Sequence, residues 1–600
     1  MIRVADYIAD FIVEKGVKHA FMLSGGGIMH LTDGLACKKE KLEAICCHHE
    51  QAASMALEAY SRTSENFGVG YFTTGPGATN AVTGLVGAWV DSVPCMFISG
   101  QVKRKETIYN ANIPGLRQFG VQEVNIIPVV ESITKYSVMI NEPEMIRYHL
   151  EKAFYMAKSG RPGPVWIDIP LDVQGALIDP KQMKGFDEPE TSSIHDTKDI
   201  EQVVALVKES SRPVILAGQG IRLAGAVDKL SDFCGKYDIP VVTSYLGIDS
   251  IDSYNKCFTG RIGIKGDRAG NLAMQNSDLL IVIGSSLPVA EIGYDYDQFA
   301  REAKIIVVDI ELASHLKNTI KIDMLIQDDA KEFIEKMDDF IEPENMVSKE
   351  DWLKTCTQWS NKYPVCLPEY ADLKEKINKY YFINKLSEIC EEDDVIVTDA
   401  GSAFYAGSQG VKLKKGMRYI TSGGLATMGY SLPASIGASL ANDRKRIMCI
   451  TGDGSFQQNI QELQTVLHYG LPIKIFVLNN EGYLSIRFTQ GKYFEQRFIG
   501  ESKDSGVSFP SLESISNAYG IKYFRADKNS QLKNILEAVM DHNGPVICEI
   551  INPRDQLIIP TVASEKLEDG SMVSKPLEDM YPFLERDEFK NEMIIDTIHE

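Results

Sequence analysis

The chain has 600 residues, 44% of them hydrophobic, enough for several domains with sizeable cores; at about 150 residues each, about four are expected. Its 62 Lys and Arg against 83 Asp and Glu leave a net charge of −21. That balance argues against nucleic acid or an anionic membrane as a partner, since both select basic surfaces. The 11 cysteines are scattered without CxxC spacing, which points to reduced thiols and a cytoplasmic location. The N-terminus carries no signal-peptide pattern, and no apolar run approaches the roughly 20 residues of a membrane helix.

An amphipathic helix opens the chain, with Ile8, Ile12 and Val13 on one side. The strand His19 to Leu23 runs into Ser24-Gly25-Gly26-Gly27, which taken alone is a tight strand-to-helix turn. Leu42 to Cys47 reads as the next strand, followed by His48-His49-Glu50 and a helix from Gln51 to Tyr60. An acid at a helix start is favoured by the helix dipole, and that is the ordinary reading of Glu50. His48 and His49 read as structural, with one at the edge of a site as the alternative. The strand Gly68 to Phe72 leads to Thr73-Thr74-Gly75-Pro76-Gly77-Ala78-Thr79-Asn80. Lys135 is either a surface lysine or an attractor for a carboxylate. Asp187 to Asp199 is polar and acidic and reads as a linker. Val214 to Ala217, Pro240 to Thr243, Leu279 to Gly284 and Lys304 to Asp309 are buried strands alternating with helices, as in a parallel sheet. Glu342 to Pro368 reads as a charged connector.

A third set of elements starts with the strand Val395 to Asp399, followed by Ala400-Gly401-Ser402-Ala403. The apolar run Ile447 to Ile450 ends in the turn Gly452-Asp453-Gly454-Ser455. Ile460, Leu463, Val466 and Leu467 then recur at helical spacing, and a second buried strand, Ile473 to Leu478, ends at Asn479-Asn480. A glycine turn opening a helix is a ready anion site, because free N–H groups and the dipole point at the ligand. Asp453 and Asn480 are 27 residues apart, about one strand-helix-strand unit, so adjacent parallel strands would bring their oxygens together. A carboxylate, an amide oxygen and a backbone carbonyl suit Mg²⁺ bridging a diphosphate. The tail from Thr561 is acid-rich and reads as a cap on an active-site mouth, a subunit contact, or a solvated end.

Gly-Asp-Gly followed by Asn-Asn resembles the diphosphate-anchoring motif of thiamine diphosphate (ThDP) enzymes, and residues 1 to 560 resemble the acetolactate synthase branch of that family. The resemblance implies an α/β fold with three doubly wound parallel-sheet domains. These are a pyrimidine-binding domain (1–185), a central domain (195–340) and a diphosphate-binding domain (370–560), followed by a tail (561–600). It implies Mg²⁺ held by Asp453, Asn480 and the carbonyl of Gly482, with Gly454 and Ser455 at the diphosphate and Tyr483 over the cofactor. Glu50 resembles the glutamate that contacts N1′ of the aminopyrimidine and promotes its imino tautomer, a role helped by a dry setting. Gly25, Gly26 and Asn80 lie in turns that resemble those beside the pyrimidine. In Tyr419 to Tyr430, Met428 resembles the apolar wedge that bends the cofactor, and the Ala426 carbonyl resembles the acceptor for its amino group.

Four departures from that branch's pattern stand out, the first two near the substrate. Val121-Gln122-Glu123 resembles a Phe-Gln-Glu element whose Phe and Gln lie near substrate; Gln122 matches and Val121 replaces the aromatic. Acetolactate synthases carry a Trp soon after the Asn pair; none lies between Asn480 and Gln490, where Phe488 and Thr489 stand instead. At the first diphosphate loop, Gly401 and Ser402 carry over, whereas the family's Gln-His-Gln does not. FAD can occupy the central domain in this branch, but Ser285-Ser286-Leu287-Pro288 replaces the Arg-Phe-Asp-Asp pattern and argues against it. The implied chemistry is decarboxylation of a 2-oxoacid such as pyruvate and addition of the resulting enamine to a carbonyl acceptor. The sites would be shared between the chains of a homodimer or homotetramer. The acceptor is a second 2-oxoacid or, given Val121 and the missing Trp, something different such as a keto-sugar nucleotide. Simple decarboxylation ranks below these. A non-catalytic protein of the same fold is disfavoured by the presence of Glu50, Asp453 and Asn480.

Overall fold

The structure, a computed structural model, describes residues 1–63, 67–189, 197–342, 346–566 and 572–598. Three six-stranded parallel sheets organise it. The first runs Glu43–Cys46, His19–Met22, Gly68–Phe72, Cys95–Gln101, Val165–Pro170, Tyr136–Met139 across the sheet. The third runs Arg418–Ile420, Val395–Thr398, Ile447–Gly452, Ile473–Asn479, Val546–Ile551, Lys522–Ala526. In chain order both read 2-1-3-4-6-5. The central sheet runs Phe258–Arg261, Val241–Thr243, Pro213–Ala217, Leu279–Ile283, Lys304–Asp309, Met324–Gln327, which is the 3-2-1-4-5-6 order of dinucleotide-binding folds. Parallel strands covered by helices on both faces must be apolar throughout, and Leu279–Ile283 and Ile475–Leu478 are fully buried.

In such sheets ligands bind beyond the carboxyl ends of the strands, where the strand order reverses. That point lies between His19–Met22 and Gly68–Phe72 in the first sheet, and between Val395–Thr398 and Ile447–Gly452 in the third. The four turns that leave these strands carry Gly25, Gly75, Gly401 and Asp453.

The first and third domains share one core. The helix Glu50–Thr63 lies against Ser431–Ala441 so closely that a Cβ on Gly437 would fall 1.9 Å from the Ala56 carbonyl oxygen. Beside this contact the buried Arg62 donates to Glu58, to Asp91 Oδ2 (2.7 Å) and to the Thr421 carbonyl (2.8 Å), and the Tyr430 hydroxyl donates to Glu58. Burial pushes the Glu58 carboxyl up, against the opposing pull of Arg62. An ion pair so buried is tolerated only when its remaining hydrogen-bonding capacity is also filled.

Two segments differ from expectation. The charged connector contains a helix, Glu350–Lys362, whose Trp352 and Trp359 are buried against the central domain. The tail also packs on the central domain. Thr561–Val562 pairs with Met580–Tyr581, Asn271 donates to the Leu577 carbonyl (3.0 Å), and the buried Glu578 pairs with Arg301 (2.7 Å). Residues 190–196 of the acidic linker, 343–345 of the connector and 567–571 of the tail lie outside the described residues, and the linker's last three residues already belong to the helix Thr197–Glu209. No helix among the described residues is long and apolar enough to cross a membrane.

Candidate active site

Glu50 opens its helix and is buried. Its Oε2 accepts a hydrogen bond from Asn80 Nδ2 (3.1 Å), and a Cβ on Gly77 would stand 3.3 Å from Oε1. Gly25 sits against the same turn: a Cβ there would fall 2.4 Å from Thr73 Oγ1, which accepts the Gly27 N–H (3.2 Å). Gly26 is exposed beside it. Gln122, with φ of 63°, presses its carbonyl on the turn, so that a Cβ on Gly75 would lie 2.1 Å away. The buried Glu123 anchors this loop by accepting the N–H groups of Phe119 (2.8 Å) and Gly120 (2.9 Å). The structure thus brings Glu50, Asn80, Gly25, Gly26 and Gln122 to one edge, with Val121 beside them 85% exposed.

The second group gathers around Asp453. Its Oδ2 accepts from the N–H of Asn480 (3.2 Å) and of Gly482 (3.1 Å), and its Oδ1 from Gly454 (2.8 Å). The Asn480 amide points at the Gly482 carbonyl (3.2 Å). Burial pushes the Asp453 carboxyl up to about 6, against these backbone hydrogen bonds. A buried carboxylate drawn together with an amide and a carbonyl is a hard-oxygen donor set, and the amide can present its oxygen as readily as its nitrogen, so the residues fit Mg²⁺. Among the described residues no cluster of three His, Cys, Asp or Glu side chains could hold a metal; this cage uses one carboxylate only. Ser455 is buried in the same turn, and the Tyr483 ring closes on it: a Cβ on Gly454 would lie 2.1 Å from that ring.

Several residues that hold the site were not visible in the sequence. Asp399, fully buried, accepts from the N–H of Ala400 (2.8 Å) and Gly429 (3.0 Å) and from the hydroxyls of Ser431 (2.9 Å) and Thr451 (3.0 Å). It ties the Gly401–Ser402 turn to Met428-Gly429 and to the strand before Asp453, and burial pushes its carboxyl up. Ala426 adopts φ of 54°, rare for a residue with a Cβ, with its N–H bonded to the Ser422 carbonyl (2.7 Å).

Arg487, also buried, donates to the carbonyls of Asn480 (3.4 Å), Glu481 (3.0 Å) and Arg554 (2.7 Å) and to Glu501 (2.6 Å). Burial opposes ionisation of Glu501, yet hydrogen bonds from Ser502 and Arg487 hold its carboxyl below the usual range. The Glu501 carbonyl accepts the Tyr483 N–H (2.8 Å) and leaves no room for a Cβ on Gly482. Behind the loop, burial pulls the Lys379 ammonium down to about 7, opposed by the charge of Asp453. The only sequence signal for these residues is their place at strand ends or one helical turn beyond a candidate ligand.

Three other candidates have structural duties. Lys135 donates to the carbonyls of Ser159 and Arg161 (2.8 Å), closing a turn rather than facing substrate. The His48 N–H donates to Glu462 (3.0 Å), and His49 Nδ1 accepts the Gln51 N–H (3.1 Å). At the strand-order reversal of the central sheet lies a cavity of about 460 Å³, bordered by Gln219, Gly220, Ser285, Glu291, Asp309 and Arg161. Burial pushes Glu291 up to about 7, against the hydrogen bond from Ser285.

The chain matches three family models: the N-terminal thiamine pyrophosphate (TPP) binding domain over residues 2–123, the central domain over 200–337 and the C-terminal TPP binding domain over 399–550 of thiamine pyrophosphate enzymes. It is 33% identical to the acetolactate synthase large subunit of Cyanidium caldarium, over 93% of this chain and 94% of that one. It is 32% identical to the large subunit from Lactococcus lactis subsp. lactis (strain IL1403), over 92% of each chain. Against the isozyme 1 large subunit of Escherichia coli (strain K12) it is 29% identical, over 93% of this chain and 95% of that one. The chain therefore belongs to the thiamine diphosphate enzymes, on their acetolactate synthase-like branch, which forms carbon–carbon bonds.

Proposed function

We propose that the protein is a ThDP- and Mg²⁺-dependent carboligase that takes an acyl unit from a 2-oxoacid, pyruvate first among them, and joins it to a carbonyl acceptor. The observation that carries this reading is the pair of half-sites: Glu50 with Asn80 at one strand-order reversal, and Asp453, Asn480 and Gly482 at the other. The cofactor, when bound, supplies the electron sink for decarboxylation. Asp453, Asn480 and the Gly482 carbonyl would hold Mg²⁺, while Gly401, Ser402, Gly454 and Ser455 offer N–H and hydroxyl donors to a diphosphate. Glu50 is the group that would meet the aminopyrimidine: its carboxyl is shielded from water and kept in one orientation by Asn80. Met428 offers an apolar face and Ala426 a carbonyl acceptor, and Gln122 offers an amide to substrate.

No hydrogen bond among the described residues joins the two half-sites, and exposed apolar side chains flank both: Phe119 and Val121 on one, Phe488 and Ile499 on the other. This supports a homodimer or homotetramer in which one chain's glutamate meets the other's metal, as light scattering would report. The 11 free cysteines support a reducing, cytoplasmic setting. Ser285 to Pro288 argue against a flavin in the central cavity, and visible flavin absorbance in the purified protein would overturn that.

Pyruvate consumption with ThDP and Mg²⁺, with products identified by NMR, tests the whole reading. Acetolactate as the main product places a second pyruvate as acceptor. Turnover only after a bulkier ketone is added places a different acceptor. Inertness toward every 2-oxoacid despite bound ThDP refutes the reading.

A further inference from the structure

Residues flanking the two half-sites meet along one seam. The edge strand of the first sheet, Glu43–Cys46, and the turn after it lie against the segment that leaves Asp453 and the helix Glu462–His468 beyond it. At the strand end of the seam Arg444 pairs with Glu43 (2.6 Å), and the Tyr469 hydroxyl accepts the Cys46 N–H (2.8 Å) and donates to the Ala44 carbonyl (3.2 Å). At the turn end stand Asn459 and Glu462, both buried and both a short way along the chain from Asp453.

These two side chains hold the turn on both sides of Glu50. Glu462 Oε1 accepts the His48 N–H (3.0 Å), and its Oε2 accepts the Thr465 hydroxyl (2.6 Å). Asn459 Nδ2 donates to Gln51 Oε1 (3.4 Å) and to the Gly429 carbonyl (2.8 Å), and the Gln461 amide donates to Asn459 Oδ1 (3.2 Å). Gly429 follows Met428, and that loop presses on the same segment: a Cβ on Gly429 would lie 2.7 Å from the Gln458 Cβ. The first N–H groups of a helix have no partner within it, so groups outside the helix set how the chain enters it. The helix Glu50–Thr63 opens on Glu50 itself, and the groups that fix its entry come from the metal-bearing domain. Asn80 orients the end of the Glu50 carboxyl (3.1 Å), whereas Asn459 and Glu462 fix the turn from which that side chain starts. A carboxyl that must meet one ring nitrogen depends on both, because a displacement of about 1 Å can cost about a hundredfold in rate.

We propose that Asn459 and Glu462 are positioning residues for Glu50, fixing the turn from which its carboxyl meets the aminopyrimidine. This rests on the carboligase reading above, in which Glu50 is the group at N1′. The seam itself supplies the comparison that separates positioning from mere docking. Tyr469 bonds the same edge strand to the same domain, but at Ala44 and Cys46, away from the Glu50 turn. Loss of its hydroxyl loosens the seam without releasing His48 or Gln51.

The test is exchange of the cofactor's thiazolium C2 proton for deuterium in the protein loaded with ThDP and Mg²⁺, quenched in acid and read by proton NMR. A carboxyl at N1′ promotes this exchange, and no 2-oxoacid is needed for it. N459A and E462A are expected to slow it by about ten- to a hundredfold. E462Q, whose amide oxygen still accepts the His48 N–H, should restore it. Y469F should lower the unfolding midpoint and leave exchange at the wild-type rate. If an alanine variant does not fold, N459D, equal in size but without the donor for Gly429, takes its place with the same expected loss. Mn²⁺ affinity, followed by electron paramagnetic resonance, should stay at the wild-type value throughout. Wild-type exchange in N459A and E462A, an equal loss in Y469F, or a fall in Mn²⁺ affinity as large as the fall in exchange overturns the proposal. E50Q separates this role from the reading it rests on. Slow exchange in E50Q beside fast exchange in N459A and E462A removes only the positioning role, whereas wild-type exchange in E50Q removes Glu50 from the chemistry and the positioning role with it.

Discussion

Replacing Arg487 with methionine should weaken metal binding without touching a metal ligand. The guanidinium holds the carbonyls of Asn480 and Glu481 from behind and neutralises Glu501, whose backbone in turn fixes Tyr483. Methionine fills much of the volume but leaves three carbonyls without their donor and one carboxylate short of its main partner. Breaking a buried pair costs about 3–5 kcal/mol, and Arg554, 3.6 Å from Glu501, places the cost at the lower end, about 3 kcal/mol. Groups that orient metal ligands are typically worth about 10–100-fold in metal affinity, and a fall of that size is expected here. The assay is a Mg²⁺ titration of pyruvate consumption alongside Mn²⁺ binding followed by electron paramagnetic resonance. R487M/E501Q, which removes the stranded carboxylate, should regain stability over R487M while staying weak for metal. An R487M protein with a lower unfolding midpoint but wild-type Mn²⁺ affinity would refute the reasoning and leave Arg487 a purely structural residue.

Three further outcomes are expected. E50Q should lose turnover by about 10²–10⁴-fold while keeping wild-type Mn²⁺ binding, because Glu50 lies apart from the metal loop; near-normal turnover would remove it from the chemistry. G437A puts a methyl group where the Ala56 carbonyl stands, so it should cost about 1–3 kcal/mol in denaturant unfolding, and no loss would mean that the two helices can separate freely. Asp168 is buried between Ser99 and Gln101, and burial, opposed by those hydrogen bonds, pushes its carboxyl up to about 7. The folded state then keeps a proton that the unfolded chain releases near pH 4, so stability from this group is fullest below about 4 and falls as pH rises to about 7, by up to about 4 kcal/mol. D168N should lack that slope, so the stability difference between wild type and D168N should shift toward the variant from pH 5 to pH 8; parallel pH curves would contradict it.

The strands and the turns that follow them were legible because a parallel strand covered on both faces must be a continuous apolar run, and a reversal of strand order must be crossed by tight turns rich in Gly, Asp and Asn. Asp453 and Asn480 could be paired from spacing alone because one strand-helix-strand unit separates them. Asp399 and Arg487 escaped notice because their partners are brought near only by the sheet: Asp399 reaches Thr451 across 52 residues and Arg487 reaches Arg554 across 67. The helix Glu350–Lys362 was hidden by its charge, although Trp352, Cys356 and Trp359 form a narrow apolar seam on one side.

The tail also sets a timetable. Arg301, Gln275 and Asn271 belong to a domain whose last strand ends at Gln327, yet their buried partners are Glu578 and Leu577. Arg301 must wait for 277 further residues before its carboxylate is synthesised. At about 5–20 residues per second that is roughly a quarter of a minute to a minute in which the central domain carries a charge and two amides without their final acceptors. The central domain is begun second of the three, and its buried polar groups are satisfied only after the third has been made.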